Sequence, residues 1–425
     1  MKMPEGIPNP GIKVCRLTKS LYGLKQASRQ WFAKLHGELQ KQGFVQSKND
    51  YSLFIKRDST YITLAAVYVD DILLIGNHVP TINSLKKHLD AVFSIKDLGV
   101  MSYFLGIEVG YLPDGVVLTQ KKFTKSLLAD CGFDLTKFAV TPLPINTKLL
   151  AEEGSLYDKP ELYRTLVGKL NFLTHTRPDL SFAVQLLSQF MHQPRDSHVA
   201  ALTHVLRYVS HTAGQGILLQ AADSLTLQAF SDSDWAACPN TRKSVTGYVL
   251  LFGNSPVSWK SKKQSTISRS SSEAEYRAMA AAASEVTWLV RLLEEFAIYI
   301  AKNPVFHERT KHIEIDCHFT RDKVLEGLLQ LTYLPTHSQL ADVFTKALPS
   351  PQLHDLLSKL GVSPATPSLR GGVGQYDVDF IKSTQQQDAR QSHHPNAGLA
   401  HSRSHPILAA QLIAATKLHQ CSSFQ

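Results

Sequence analysis

Cysteine is scarce in this 425-residue chain. Only Cys15, Cys131, Cys238, Cys317 and Cys421 occur, scattered and with no CxxC among them. That spacing argues against a disulfide framework or a zinc knuckle, and it fits a reducing compartment. Long apolar runs are also lacking: none approaches the roughly 20 residues that span a bilayer. The opening "MKMPEGIPNPGIK" has no apolar core of the signal-peptide kind. The expectation is a soluble, intracellular protein of the cytoplasm or nucleus, with no membrane partner. There are no internal repeats. Acid is in deficit, with 36 Asp and Glu against 45 Lys and Arg, a formal charge of +9. A basic surplus fits an anionic partner, nucleic acid above all, or simply a mildly basic soluble surface. With 43% hydrophobic residues there is material for two or three domain cores.

Periodicity organises the chain. From about Gln26, Trp31, Phe32, Leu35 and Leu39 recur near a 3.6-residue period and predict a helix. "DYSLFIKRDSTYITLAAVYVDDILLIGN" predicts three strands and "TINSLKKHLDAVF" an amphipathic helix. "YFLGIEVGYLPDGVVLTQ" predicts a strand pair turning at Pro113-Asp114-Gly115. "KKFTKSLLADCGF" is a helix closed near Gly132, and a proline-bearing link follows it. Tyr163 to Val209 reads as all-helical with a break at "TRPDL". Strands resume at "GILLQ", and a long helix is expected from about Ser272. After Val362 the chain turns rich in Ser, Gln, Gly, Pro and His, a composition expected to stay disordered.

Two neighbouring acids, Asp70 and Asp71, interrupt the apolar run Ile62 to Gly76. They separate two strands and so belong at a hairpin tip. Such a pair is either an acidic surface turn or a divalent-metal site, because magnesium takes oxygen ligands, often one or two carboxylates with substrate phosphates. A second set lies downstream. Asp232 ends an alternating strand in "LQAFSDSDWAA", and three strands later "SRSSSEAEYRAM" opens a helix. Ser271 or Ser272 is the expected N-cap, with Glu273 and Glu275 in the first turn, where the helix dipole favours acids. These acids are either dipole-matched surface groups or one half of a strand-plus-helix metal site.

"CRLTKSLYGLKQASRQWF", "VYVDDILLIGN", "FSIKDLGVMSYFLGIEV", "YRTLVGKLNFLTHTRPDLSFAVQLLSQFM", "SDSDWA", "VSWKSKKQSTISRSSSEAEYRAM" and "LPTHSQLADVFTKAL" occur in that order. Together they resemble the polyprotein of copia-type LTR retrotransposons, over about Cys15 to Gly361. The resemblance implies an α+β or α/β multidomain fold. Its parts are an incomplete reverse-transcriptase palm (residues 1–145), a helical thumb or connection (146–215), an RNase H-like domain (216–361) and a disordered tail (362–425). It implies RNA-directed DNA polymerase and RNase H chemistry with Mg²⁺ or Mn²⁺. The implied partners are an RNA template, a DNA primer, an RNA–DNA hybrid and dNTP.

By that resemblance Asp70 and Asp71 are palm metal carboxylates. Tyr22, Gly23 and Lys25 lie under the incoming nucleotide, and Lys96 stands where related polymerases carry a lysine for the leaving group. The bland reading of Lys25 is an exposed lysine, and that of Lys96 a basic helix end. Phe104, Leu105 and Gly106 belong to the primer grip, equally a plain buried strand. Asp232, Glu275 and Asp342 match the RNase H carboxylates, and His337 lies near that family's mobile histidine. "HERTKHIEIDCHF" matches no standard zinc spacing and fits nucleic-acid contact or packing.

Three departures stand out. A further palm aspartate is expected upstream of a segment like "MKMPEGIP". Ser28 replaces a usual proline. A loop and an Asp-bearing strand of the RNase H pattern are missing after "WLVRLLEEF". One continuous helix from Ser272 to Ala301 and an unpaired edge beside the Asp232 strand are therefore expected, with Asp316 no substitute for the lost acid. Both chemistries are expected to be impaired. The alternative is a catalytically dead nucleic-acid-binding remnant.

Overall fold

A computed structural model describes Val14, Arg16 and residues 24–113, 115–220, 226–296, 314–364 and 378–383. The chain divides into two compact units: residues 1–100 with 377–393, and residues 101–376 with the remainder.

The first unit begins with helix α1 (Ala27–Lys41), whose Leu35 and Leu39 are fully buried. Strands β1 (Val45–Gln46), β2 (Leu53–Arg57), β3 (Ile62–Tyr68) and β4 (Asp71–Gly76) form an antiparallel run. Helix α2 (Val79–Phe93) follows, then β5 (Ile95–Val100). Leu35 and Leu39 of α1, Ile82, Leu85 and Leu89 of α2, and Phe54, Ala65, Val67, Ile72 and Leu74 of the strands make one core. The helices thus bury the i, i+3, i+4 positions seen in the sequence against alternate strand residues, as their two periods require. Gly76 closes β4 opposite Thr63, and a Cβ there would meet the Ile62 carbonyl at 2.7 Å. Only glycine permits that approach.

In the second unit, β6 (Tyr103–Phe104), β7 (Ile107–Leu112) and β8 (Gly115–Thr119) lead into helix α3 (Lys121–Asp130). Helices α4 (Pro160–Leu173), α5 (Ser181–Leu187) and α6 (Asp196–His211) follow, and α3 to α6 share a core of Leu, Val and Tyr163. The expected break at "TRPDL" is a short 3₁₀ turn, Pro178–Leu180, locked by charge. Buried Arg177 grips Asp179 with two bonds of 3.0 and 2.7 Å, and the Tyr208 hydroxyl donates to the same carboxylate at 2.8 Å. A buried pair tolerates its desolvation only with such additional hydrogen bonds. The link between α3 and α4 carries no helix, yet it is no free tether. Ala139, Leu143 and Leu149 are buried in the helical core, and Asn240 bonds the Leu149 carbonyl and the Ala151 amide.

Strand β9 (Gln215–Gln220) is followed by β10 (Leu227–Asp234), β11 (Val245–Phe252) and β12 (Ser255–Lys263). Helix α7 (Ser271–Glu295), α8 (Glu314–Leu325), α9 (Ser350–Lys359) and β13 (Val362–Pro364) complete the unit. Two sheets result. One is β10-β11-β12, antiparallel throughout; the other runs β13-β9-β8-β7-β6. Strand β9, grouped from sequence with the Asp232 strand, therefore pairs instead with β8, from Gly115↔Gln220 to Thr119↔Gly216. Strand β10 is an edge among the described residues, as expected. Helix α7 is shorter than expected: it ends at Glu295 with Phe296 as its cap, and 297–301 lie outside the described residues.

The tail departs from expectation. Strand β14 (Val378–Ser383), placed from sequence in a disordered segment, pairs antiparallel with both β4 and β5 and completes a six-stranded sheet in the first unit. Composition misled here because the segment's low overall hydrophobicity hides "VDFIKS". That short run of β-formers meets two strands whose backbone groups need partners. The rest of the expected tail beyond 383 lies outside the described residues.

Two candidate carboxylate centres

The first centre sits on the β3–β4 hairpin, with Tyr68 paired to Asp71 and only Val69 and Asp70 in the turn. Two-residue hairpins need positive φ at the turn, which is normally met by Gly, Asn or Asp. Here Val69 takes φ 51. A β-branched residue in that region is a genuine outlier, and strain of this kind costs about 1–3 kcal/mol. The strain holds two acids at a tip: Asp70 exposed, Asp71 half-buried.

Register extends the row. Lys382 of β14 pairs with Asp71 on one side and with Lys96 of β5 on the other. Strands lie about 4.8 Å apart, so Asp71 and Lys96 are separated by about 10 Å of sheet. Lys96 is thus an exposed strand residue, not a helix end. Lys25 lies exposed in the turn before α1, while Tyr22 and Gly23 fall outside the described residues.

Phe104, Leu105 and Gly106 form the tight β6–β7 hairpin of the second unit. Leu105 (φ 47) and Gly106 (φ 84) both lie in the left-handed region, the pattern of a type I′ turn. Phe104 is buried, and a Cβ on Gly106 would collide with the Phe172 ring at 2.6 Å. The structure shows packing at this hairpin.

The second centre is assembled from chain-distant elements. Asp232 comes from β10, Glu275 from α7, and Asp342 from the 3₁₀ turn Leu340–Phe344. Gly247 of β11, the pairing partner of Asp232, makes this possible. A Cβ there would meet Thr345 at 2.7 Å and Phe344 at 2.8 Å, so only glycine lets the turn lie against the sheet. Gln339 fastens the turn by donating to the Ser231 carbonyl at 3.1 Å. The Thr345 hydroxyl donates to Asp232. The Lys346 ammonium stands 3.3 Å from Asp232 and 3.0 Å from Asp342. Glu275 accepts from the Ser233 amide at 3.3 Å. Ser270, one residue before the expected cap, caps α7 by accepting from the Glu273 amide at 3.1 Å. Glu273 is turned away from the centre, bonding the Arg269 amide and Arg277.

Burial and charge crowding shift the acids of this centre. Burial, then the Asp232 charge, push Glu275 up to about 8. The same two causes, in that order, raise Asp342. Asp234, two residues beyond Asp232 on the same strand face, is raised by burial and senses both Lys346 and Asp232. Burial opposes the charge on Lys346, yet Asp232 and Asp342 outweigh it and raise its pKa. Sequence reasoning missed Asp234, Thr345, Lys346 and Gly247. The signal for Asp234 was its i, i+2 spacing. His337 is exposed on the turn Thr336–Ser338, just before the Asp342 turn. Asp316 lies in helix α8 and not on a strand.

Hard cations take carboxylate oxygens, and the donor set fits one in kind. Among the described residues, however, no three His, Cys, Asp or Glu side chains stand at metal-holding spacing. Lys346 fills part of the space between the acids.

Residues 1–147, which carry the Asp70–Asp71 hairpin, match the reverse transcriptase (RNA-dependent DNA polymerase) family. Over 371 residues the chain is 42% identical to the retrovirus-related Pol polyprotein from transposon RE1 of Arabidopsis thaliana, covering 84% of this chain and 25% of that one. It is 33% identical over 282 residues to a putative transposon Ty5-1 protein of Saccharomyces cerevisiae, covering 65% of this chain and 91% of that protein. An uncharacterized mitochondrial protein of Arabidopsis thaliana is 43% identical over 222 residues, 52% of this chain and 92% of that one. The chain spans about a quarter of the RE1 polyprotein's length. No solved structure matches it. The chain belongs to the copia-type retrotransposon Pol polyproteins, as a reverse-transcriptase fragment of that family. The family acts on RNA and DNA and generally uses divalent metals. No helix among the described residues is long and apolar enough to cross a membrane.

Proposed function

We propose that the chain is an RNA–DNA hybrid-binding fragment with two vestigial metal centres. One is of polymerase type, on Asp70 and Asp71; the other is of RNase H type, on Asp232, Glu275 and Asp342. The observation that carries the second is that Asp232 of a strand and Asp342 of a turn share one ammonium group, with Glu275 of a helix bonded to the amide next to Asp232. Nothing about helix capping or solvation requires that meeting. On this reading residues up to about 145 are an incomplete palm, α4 to α6 a helical connection, and β10–β12 with α7 the core of an RNase H-like part. Mg²⁺ or Mn²⁺, when bound, would stabilise charge on a reacting phosphate. Asp70 and Asp71 would hold it at the hairpin, and Asp232, Glu275 and Asp342 at the assembled centre.

Both centres are incomplete. The residue in register with Asp71 on β14 is Lys382, and the acid of that strand, Asp379, pairs with Leu74, three residues further along β4. On β14 no acid is in register with Asp71. At the other centre β10 is an edge, with no strand beside it among the described residues to bring a fourth acid from that side. Binding should outlast chemistry, since Lys and Arg neutralising phosphates need no metal. Fluorescence anisotropy with an RNA–DNA hybrid tests this: affinity should fall steeply with salt. Salt-independent affinity, or none at low salt, would sink the reading.

A further inference from the structure

Lys346 lies within "LPTHSQLADVFTKAL", where the resemblance gives it no role, yet its ammonium bridges two of the acids. Its ammonium stands 3.0 Å from Asp342, one helical turn earlier in sequence, and 3.3 Å from Asp232 of β10. Thr345, its neighbour, donates to the same Asp232 carboxylate. Asp232 thus gives two of its acceptor directions to one short segment of chain. Glu275 and Asp234 sense the same ammonium. A cation of one charge therefore sits where a cation of two charges would need to go.

Geometry makes the two exclusive. A divalent ion held by Asp232 and Asp342 takes their oxygens at roughly 2.1 Å and cannot share them with an ammonium wedged between the same carboxylates. Repulsion between the two cations adds to the steric conflict in a half-buried setting. The lysine has somewhere to go. Its side chain is 39% exposed, against 16% for Asp232 and 6% for Asp342, so it can swing to water while the acids stay. Gly247 and Gln339 hold the turn in place independently of it.

We propose that Lys346 is a built-in competitor of the divalent ion: it bridges Asp232 and Asp342 when no metal is present and must leave for one to enter. This rests on the reading of the acid cluster as a metal centre. Two consequences follow. Removing the ammonium exposes uncompensated acids to one another and raises their appetite for a divalent ion. A phosphate group arriving with the metal would accept the displaced ammonium, so metal and nucleic acid should load together.

The test is Mg²⁺ binding to the full chain by isothermal titration calorimetry, with Lys346→Met, Lys346→Arg and Asp232→Asn/Lys346→Met beside the parent. Competing ligands are linked by a coupling free energy that typically gives about 5- to 150-fold in affinity. Lys346→Met should bind Mg²⁺ at least about tenfold more tightly than the parent, within that range. Lys346→Arg should stay near the parent, and the double variant should lose the gain. Equal affinity in parent and Lys346→Met would overturn the proposal and leave the metal centre standing. No binding to either would overturn both. A loss of fold is recognised from the circular dichroism of each variant, and Lys346→Gln, still able to hydrogen-bond but uncharged, then replaces Lys346→Met with the same expected gain.

Discussion

The two carboxylate centres are built in opposite ways. At the hairpin the acids are adjacent in sequence, the backbone carries the strain at Val69, and one acid lies exposed at the tip. At the assembled centre the acids are 43 and 67 residues apart in chain order, none of the three has a positive φ, and the cost lies in burial and like charge: Glu275 is pushed up to about 8. A local site stores its cost in φ and ψ. A long-range site stores it in burial and like charge.

If this contrast is right, damage to the assembled centre should be the larger. Gly247→Val should destabilise the second unit by about 1–3 kcal/mol, the usual scale of overpacking, because its side chain would drive the Leu340–Phe344 turn off β11. Urea denaturation measures it. Next in size, ending the chain at Pro364 removes β14 and opens the facing edges of β4 and β5. Amide exchange at Ile72–Ile75 should accelerate, while β11 and α7 keep their protection. Unchanged exchange at β4 would show that β14 contributes nothing to that sheet.

These two tests also mark what the sequence carried. Helices α1, α2 and α4 to α6 followed from apolar spacing, and the Asp70–Asp71 hairpin from two strands meeting at two acids. Both signals are local. The pairing of β9 with β8, the slot taken by β14, and the meeting of Lys346 with Asp232 depend on register between elements far apart in sequence. No window of 15 residues contains them. The sequence marked Asp232, Glu275 and Asp342 by resemblance, but Gly247, the residue that lets them meet, looks like any strand glycine. Residues Tyr22 and Gly23 and the segment after Phe296 lie outside the described residues and add nothing to either side of the comparison.

Chemistry should fail at both centres, for different reasons. Primer extension with Mg²⁺ or Mn²⁺ should be absent, because no acid of β14 is in register with Asp71. Hybrid cleavage should be absent as well. Robust extension lost in Asp70→Asn, or cleavage lost in Asp232→Asn, would show a complete centre.

A smaller effect separates the two kinds of strain. Val69→Gly should stabilise the first unit by up to about 1 kcal/mol, since glycine takes positive φ freely and the valine does not, less the entropy glycine gains in the unfolded chain. Asp70→Asn, at an exposed tip, should stay within about 0.5 kcal/mol of the parent. At the assembled centre the response is to pH. A carboxyl whose folded pKa is raised holds its proton in the native state longer than in the unfolded one, so its contribution to stability is present below about pH 4.5 and is lost as pH rises toward 8. Thermal stability should therefore decline from pH 5 to 8, and decline less in Glu275→Gln.

The most direct measurement is the titration of Glu275 itself, followed by carbonyl ¹³C NMR in the full chain without divalent ions. A midpoint near 8 that moves down in Asp232→Asn is the predicted result, because burial and the Asp232 charge are its two main causes. A midpoint near the ordinary glutamate value, unmoved by Asp232→Asn, would mean that the three acids do not meet, and the assembled centre would not exist.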